Sequence, residues 1–279
     1  MALIVPTIYA DTVRAKFTGK VVVRNLAQDL GYLVNTTVGG TVTFPVFSDI
    51  TDAEDMTAVG FTTLTAVSLA QTSDAATVKQ LGKAVFVKDY DNVTAIGNQI
   101  EEAANQTGIV IARGVDLDLL ANAATTALVS HTVAKLSITP WELDAGLAMF
   151  GDEQDTEEMA GIVIHSKLIA SFYDMDEFVD VTKTYNIGAP NGFMQRGIIG
   201  YYRHIPVYVS DKGITWKTSN SSCTSFIVKI GALGYMEKRE VNVEEERVPL
   251  QGGSNIVANL IYATKLVKAD GVVMIDNIS

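Results

Sequence analysis

The chain of 279 residues has almost none of the residue types that build disulfide scaffolds or metal sites. It contains one cysteine, Cys223, so no disulfide forms within the chain, and it contains only three histidines. His131, His165 and His204 are widely spaced and have no cysteine or carboxylate partners at the intervals of a zinc site. We therefore expect no metal, no other cofactor, and a compartment in which disulfides are rare, such as the cytosol.

Positive charge and long apolar runs are also scarce. Lys and Arg number 21 against 32 Asp and Glu, which gives a net charge of -11 and opposes general nucleic-acid binding. The hydrophobic share is 48%, yet no run approaches the roughly 20 apolar residues that span a bilayer. The opening MALIVPTIYADTVRAKF has no basic residue ahead of its apolar stretch and is not expected to be a secretory signal. A chain this apolar is expected to bury surface in an assembly.

Motifs that carry chemistry are missing as well. The stretch GFMQRGIIGYYRHIPVYVSDKG lacks the spacing and the Lys-Ser/Thr pair of a phosphate loop, and a strand follows its glycines. His165 and Ser166 lie in VIHSKL, which lacks the G-x-S-x-G elbow of acyl-transfer enzymes. The acidic residues 152–158 lack the spacing of a calcium loop. We predict no catalytic residues and no enzyme; a hydrolase using His165 and Ser166 is the alternative.

The first third of the chain predicts an arm followed by extended strands. Residues 7–33 read as a short helix and an irregular arm. From residue 39 to residue 88 the pattern has period two, and Val42, Phe44 and Val46 share one face. A two-stranded ribbon is marginal by itself in water, so we expect it to lie on another copy of the chain.

A long helix is the clearest element of the sequence. Apolar and small residues recur at alternating spacings of four and three and predict a helix of about 55 Å from Asn92 to Leu128. The predicted stripe consists of Ile96, Ile100, Ala103, Thr107, Val110, Gly114, Leu117, Ala121, Ala124 and Leu128. Because large residues are sparse on it, we expect the helix to lie on a sheet rather than in a coiled coil.

Further along, local signals predict helices and strands in mixed order. Thr139, Pro140 and Glu142 fit a capping box with proline at the first helical position. Residues 161–164 read as a buried strand that leads into a helix capped by Ser166. Two extended segments close the chain. The interleaving of strands and helices indicates an α+β protein.

The order of these features resembles that of the major capsid proteins of tailed bacteriophages, which have the Hong Kong 97-like fold. GGTVTFPVF to VFVKDYD is similar to the extended loop and its return strands, and DYDNVTAIGNQIEEAANQTG to the start of the spine helix. GIIGYYRHIPVYVSD is similar to the glycine turn and Pro-Val strand, and EEERVPLQGGSNIVANLIYATKLVKADGVVMI to the C-terminal return. The family often has glycine where this chain has His204, a residue that tolerates left-handed backbone.

The resemblance implies four regions. They are an N-terminal arm (1–34), an extended loop with return strands (35–88), a peripheral domain with the spine helix (89–135 plus 235–279), and an axial domain (136–234). Gly197 and Gly200 are expected to shape a turn in the axial domain, followed by a core strand with Pro206. No lysine–asparagine crosslink is carried over to this chain.

The function that the resemblance implies is that of a major head protein. Such a subunit forms pentamers and hexamers of an icosahedral shell around double-stranded DNA, in a virion assembled in the cytoplasm of a bacterial host. The implied partners are other copies, a portal, scaffolding and decoration proteins, and DNA through weak non-specific contact; no membrane is involved.

We expect subunit contacts from apolar residues of the extended loop, from cations near its base and in the arm, and from a charged run near the C-terminus. These candidates are Phe44, Val46, Phe47, Lys79, Lys83, Lys88, Arg14, Lys16, Glu244, Glu245, Glu246 and Arg247. The lysines are predicted to meet residues 152–158 or 244–246 of adjacent subunits. Two alternatives stay open, namely an encapsulin-type nanocompartment shell and a soluble oligomer that makes no shell.

Overall fold

The computed structural model of the protein describes most of the chain. It covers residues 21–32, 40–47, 53–57, 63–64, 66–69, 71–94, 99–179, 197–219 and 221–277, with Val13, Ala15 and Phe17. Within these residues, no helix combines the length and apolarity needed to cross a membrane.

Five α-helices and fourteen strands are described in these ranges. The helices are α1 (Asp89–Thr94), α2 (Gln99–Ala123), α3 (Pro140–Ala148), α4 (Ile169–Tyr173) and α5 (Asp176–Val179). The strands are β1 (Gln28–Tyr32), β2 (Thr41–Phe47), β3 (Gln71–Thr77), β4 (Lys79–Lys88), β5 (Leu128–His131), β6 (Met159–Ile164), β7 (Ile198–Tyr202), β8 (Ile205–Val209), β9 (Trp216–Lys217), β10 (Ser222–Cys223), β11 (Ser225–Lys229), β12 (Leu233–Val248), β13 (Gly253–Leu266) and β14 (Val272–Asp276).

A six-stranded sheet in the order β5-β14-β11-β6-β8-β7 forms the first body of the fold. Its strands alternate between two cores, because successive side chains of a strand point to opposite faces. Phe226 and Val228 of β11 join the core that contains α2, whereas Ile227 between them joins the core that contains α3. The sheet is therefore covered on both faces.

A four-stranded sheet in the order β1-β12-β13-β4 forms the second body. Strand β4 runs antiparallel to β13, from Lys79 opposite Tyr262 to Lys88 opposite Gly253. The expectation that residues 39–88 find their partner strands only in another copy is therefore wrong for β4, because its partner comes from the C-terminal part of the same chain. That pairing joins residues at least 165 positions apart, so no local sequence pattern could predict it.

Helix α2 packs on the four-stranded sheet and is shorter than predicted. It spans Gln99–Ala123, and Leu128 begins strand β5 instead of ending the helix. Val110 and Leu117 of the predicted stripe are exposed, whereas Ile111 and Val115 are buried. A 3.6-residue repeat drifts away from a strict alternation of threes and fours, which explains why the predicted face is wrong in the second half of the helix.

Two predicted helix caps have different outcomes. The capping box of α3 is confirmed, since the Thr139 hydroxyl accepts from the Glu142 amide and the Glu142 carboxylate accepts from the Thr139 amide. Ser166 does not cap the following helical turn. The cap is His165, whose Nδ1 accepts a hydrogen bond from the Lys167 amide at 3.1 Å.

Residues 21–32, which we call the crossing segment, touch both sheets. Val21, Val23 and Leu26 are buried in the core that contains α2. The segment then forms β1, which pairs in parallel with β12, with Gln28 opposite Gly234. This part of the predicted arm is packed into the fold.

Candidate assembly surfaces

An aromatic side chain of the β2–β3 hairpin packs against the four-stranded sheet, and an ion pair between Asp74 and Lys265 joins them as well. Phe44 is fully buried and forms a small core with Ala76, Val78 and Ala263. Its ring lies over Gly234, where an added Cβ would come within 2.9 Å of it. Phe44, predicted as an interface residue, thus fills the chain's own core and leaves no side-chain surface for a neighbour.

The described residues between the two hairpin strands expose apolar side chains. Met56, Leu64, Val67 and Leu69 are between 57% and 61% exposed. Large exposed apolar groups that follow one another along a loop are typical of an interaction surface. These residues were missed in the sequence, although Leu64, Val67 and Leu69 lie close together in FTTLTAVSLA.

Four other candidates cannot be placed in full. Arg14 and Lys16 lie outside the described residues. Val46 and Phe47 belong to strand β2, but their side chains lie outside the described part of the structure.

The three candidate lysines share strand β4 but do not form one cluster. Nine residue steps separate Lys79 from Lys88, which corresponds to about 30 Å along a strand. The ammonium of Lys79 contacts the Asp118 carboxylate of α2 at 3.0 Å, so this lysine already has a partner in its own chain. Lys83 and Lys88 are exposed.

Lys88 lies at the same end of the four-stranded sheet as the charged run of β12. Gly253 pairs with Lys88 on one side and with Val248 on the other, so one strand separates the lysine from that run. The large apolar residues at this end, Tyr90, Val93 and Leu250, are 75%, 73% and 101% exposed. We call this region, formed by residues 88–93 and 244–251, the sheet-end surface.

Ion pairs within the chain already engage part of the sheet-end surface. Arg247 donates to both carboxylate oxygens of Asp89, at 2.8 and 2.6 Å. This bond holds the pKa of Asp89 below its ordinary value. Glu244 accepts from Arg239 at 3.3 Å, and Glu245 and Glu246 are exposed.

An ion pair and a backbone hydrogen bond from Ile230 to Glu158 tie the acidic residues 152–158 to the rest of the chain. Glu153 accepts from Lys229 at 2.8 Å, which lowers the pKa of the Glu153 carboxyl. Lys229 is almost fully buried and also lies 4.8 Å from the centre of the Phe150 ring. Among the described residues, no group of three or more potential metal ligands comes together, in this loop or elsewhere.

The glycine-rich stretch contributes a hairpin of the six-stranded sheet. Gly197 has φ +84° and lies in a turn, but Gly200 lies inside β7, where the pairing with β8 is irregular. The turn between the strands is formed by Arg203 and His204, with φ +46° and +69°. The prediction that Gly200 shapes the turn is wrong, and Pro206 lies in β8 opposite Tyr201.

His165 and Ser166 do not have the geometry of an acyl-transfer site. The Nδ1 atom of His165 accepts from the Lys167 amide, and its Nε2 atom lies 3.8 Å from Asp211. The carboxylate of Asp211 also accepts from the Ser166 amide at 2.9 Å. Both imidazole nitrogens face groups other than the serine hydroxyl, whereas a general base must contact its nucleophile. Burial lowers the pKa of His165.

Cys223 is buried beside this cluster, and burial raises the pKa of its thiol. A reactive cysteine needs a lowered pKa and access to solvent. The thiol therefore behaves as a small core residue.

Known proteins that resemble this chain were found among solved structures only. No model of a protein family matches the chain, and no curated protein matches it. The capsid structure of the cyanophage P-SCSP1u is similar over 93% of this chain and 88% of its own, with 14% identity and a TM-score of 0.63. The mature capsid of bacteriophage PhiM1 is similar over 93% and 87%, with 12% identity and a TM-score of 0.62.

An encapsulin from Synechococcus elongatus, solved as the holo-SrpI complex, is also similar. The similar region covers 76% of this chain and 78% of the encapsulin chain, with 16% identity and a TM-score of 0.55. Identities this low establish architecture alone. The chain has the α+β, Hong Kong 97-like fold of tailed-phage major capsid proteins.

Proposed function

We propose that this chain is a major capsid protein, which assembles into the pentamers and hexamers of an icosahedral shell around viral double-stranded DNA. The observation that carries the proposal is the likeness to phage capsids over more than nine tenths of the chain. The subunit's mechanism is geometric. Many contacts, each of them weak, give a closed shell high avidity.

Exposed apolar side chains at two separate places support an assembly role. One is the loop with Met56, Leu64, Val67 and Leu69, and the other is the sheet-end surface with Leu250 at its tip. Because the two places belong to different strand pairs, one copy is able to offer both at once to different neighbours. Such a subunit uses heterologous contacts, which close into rings when the rotation between copies closes.

This proposal assigns the charges of the sheet-end surface, together with Lys83 of strand β4, to contacts between copies. Lys83 and Lys88 are exposed and make no ion pair with the described part of the chain, and Glu245 and Glu246 are exposed as well. The lysines of one copy meet these glutamates of the next. Residues 152–158 are the weaker candidate, because Glu153 is engaged by Lys229.

The proposal extends to location and partners. The protein resides in the virion shell, is assembled in the bacterial cytoplasm, and works with portal, scaffolding and decoration proteins. Its net charge of -11 keeps packaged DNA from adhering to the wall. The subunit performs no catalysis.

Electron microscopy of the purified chain, alone and with the products of its neighbouring genes, tests the function. Closed particles or uniform capsomers tens of nanometres or less across are expected. A monomer that forms neither rings nor shells under any condition contradicts the proposal.

The charge contact has its own test. Lys83→Glu with Lys88→Glu is expected to abolish assembly of a folded subunit, and adding Glu245→Lys with Glu246→Lys is expected to restore it. Lys135→Glu is the control, because this exposed lysine lies between β5 and α3. Assembly that survives the lysine reversal, or a lack of rescue, contradicts the pairing but not the function.

An encapsulin-type shell is the second candidate, favoured by the likeness to the Synechococcus protein. Its coverage of this chain is lower than that of the phage capsids. Particles filled with a host protein that carries a docking peptide, in place of DNA, support this candidate.

A further inference from the structure

The two sheets are joined covalently by two short connections that lie side by side. Residues 230–232 lead from β11 to β12, and residues 267–271 lead from β13 to β14. The Val267 amide donates to the Ala232 carbonyl at 2.7 Å, so the two connections are also bonded to each other. The two connections mark the line along which the two sheets meet, and both sheets share one core with α2.

The crossing segment lies over this line. An added Cβ at Gly231 would come within 3.0 Å of the Gln28 side chain, so the segment contacts the first connection directly. Gln28 and Asp29 then pair with Gly234 and Tyr235 at the start of β12. This end of the segment therefore belongs to the four-stranded sheet.

The other end of the segment contacts the six-stranded sheet. Val22 packs against Gly197, where an added Cβ would lie 3.0 Å from the valine methyl. Leu26 packs in the same way against Gly161 of β6. Both positions are glycine; an added Cβ at Gly197 would meet Val22 first, whereas one at Gly161 would meet Tyr208 as well as Leu26.

One carboxylate fastens the segment between these two ends. Asp116 of α2 is 3% exposed and accepts hydrogen bonds from three successive amides, those of Val22, Val23 and Arg24, at 3.0, 3.1 and 3.1 Å. No other carboxylate of the described residues makes this set of bonds. The carboxylate takes the place of a cap for the 3-10 turn Val23–Leu26, which has no side-chain cap of its own.

Arg24 adds a second attachment on the side of the four-stranded sheet. Its guanidinium lies 4.4 Å from the centre of the Tyr235 ring and 3.5 Å from the Glu237 carboxylate. The segment is thus attached to each sheet by its own contacts and to α2 by Asp116.

We propose that the crossing segment is a strap that fixes the angle between the two sheets, and that Asp116 is the positioning residue that fastens it. The inference rests on the proposed function in one respect. In a shell subunit, the angle between the two bodies sets the curvature of the particle, so a loose strap changes particle size without unfolding either sheet.

Hydrogen exchange of the full-length chain in its soluble form tests the strap without any need for shells. Asp116→Ala leaves the amides of residues 22–24 without their acceptor, and exchange at residues 21–32 is expected to rise at least tenfold. Exchange in β11 and β13 is expected to change less than twofold.

The matched control is Asp118→Ala, one half-turn away on the same helix. Asp118 accepts from Lys79 and Tyr262 and not from the crossing segment, so this variant is expected to leave exchange at residues 21–32 unchanged. Equal effects of the two variants, or a uniform rise over the whole chain, overturn the proposal.

A milder variant covers the case in which Asp116→Ala does not fold. Val22→Ala with Gln28→Ala removes the contacts with Gly197 and Gly231 and buries no unpaired group. Exchange at residues 21–32 is expected to rise roughly threefold over the wild type, with little change elsewhere. A lack of effect overturns the proposal.

Particle size gives the second readout. Where the wild-type chain forms shells, the loosened variants are expected to form particles of broader diameter distribution, measured by electron microscopy. Unchanged diameters together with faster exchange overturn the link to curvature. A wild-type chain that forms no shells overturns the proposed function and leaves the exchange result standing.

Discussion

The two sheets of this protein differ in how much of their surface they bury within one chain. The six-stranded sheet has α2 on one face and helices α3 to α5 on the other, and all five residues of its strand β11 are buried. The four-stranded sheet has α2 on one face, and its long hairpin ends in a tip where Leu250 is fully exposed. The difference teaches that the first sheet is complete within the subunit, whereas the second leaves surface for neighbours.

The largest expected effect on stability tests whether the six-stranded sheet is covered on both faces within one chain. Ile227→Ala removes a fully buried side chain of β11 that packs against Gly146 of α3. We expect a loss of about 2–5 kcal/mol in the free energy of unfolding, because a cavity remains in a core closed on both sides. Urea unfolding followed by circular dichroism measures it.

The matched variant on the other sheet is Val257→Ala. Val257 lies in β13 and is half-buried, so truncating its side chain removes less buried apolar surface. A cost of about 1 kcal/mol or less is expected. If the two variants cost the same, the contrast between the sheets is wrong.

A smaller effect on the free energy of unfolding is expected at the junction of the two sheets, where a change of pH titrates Asp116. Burial outweighs the three amide bonds and the nearby Arg24, and it raises the pKa of Asp116 from 3.8 to about 6. A raised folded-state pKa adds stability that is fully present below the unfolded value and is lost as the pH rises through about 6. The wild type is therefore expected to lose up to about 3 kcal/mol between pH 3.5 and pH 7.5 through this group.

Urea unfolding of the wild type and of Asp116→Ala at these two pH values measures the contribution of Asp116 to the pH dependence of stability. The alanine variant lacks the titrating group, so its stability is expected to depend less on pH. Identical pH dependence of the two proteins would falsify the assignment of the raised pKa to Asp116.

The smallest effect is expected at the sheet-end surface. Arg247→Ala breaks the pair with Asp89, but both partners are exposed, so no resolvable shift in the unfolding midpoint is expected. The pKa of the Asp89 carboxyl is expected to rise towards its ordinary value, measured by a proton titration in NMR. If the unfolding midpoint of Arg247→Ala falls as far as that of Ile227→Ala, the stated difference between the two regions is wrong.

Local patterns predicted those parts of the structure whose physics is local. The capping box at Thr139 depends on residues three positions apart, and the structure has it. The alternation in TVTFPVF predicted strand β2 for the same reason, because side chains in an extended chain alternate between faces.

The parts that were mispredicted depend on distant partners. His165 replaces Ser166 as a cap, and Asp211, far along the chain, engages both the amide and the hydroxyl of Ser166. Phe44 turned from an interface candidate into a core residue because Gly234 leaves room for its ring. The apolar loop residues such as Leu64 were visible in the sequence but could not be told from core residues without their exposure.

The sequence alone determined the class of the protein. The order of an arm, strands and a long helix predicted an α+β protein, and the resemblance of that order to tailed-phage capsid proteins implied the Hong Kong 97-like fold. The α+β prediction needs only the periods of helix and strand, whereas the capsid fold needed the resemblance to a known family.

Only the tertiary structure decided how the pieces support one another. It paired Lys88 with Gly253, placed Asp116 against the amides of residues 22–24, and left Leu250 without cover. Each of these depends on chain segments brought together across 90 residues or more, or on what lies above a given side chain. The physical reason is that burial and hydrogen-bond partners belong to the packed molecule, whereas a sequence window records only its own periodicity.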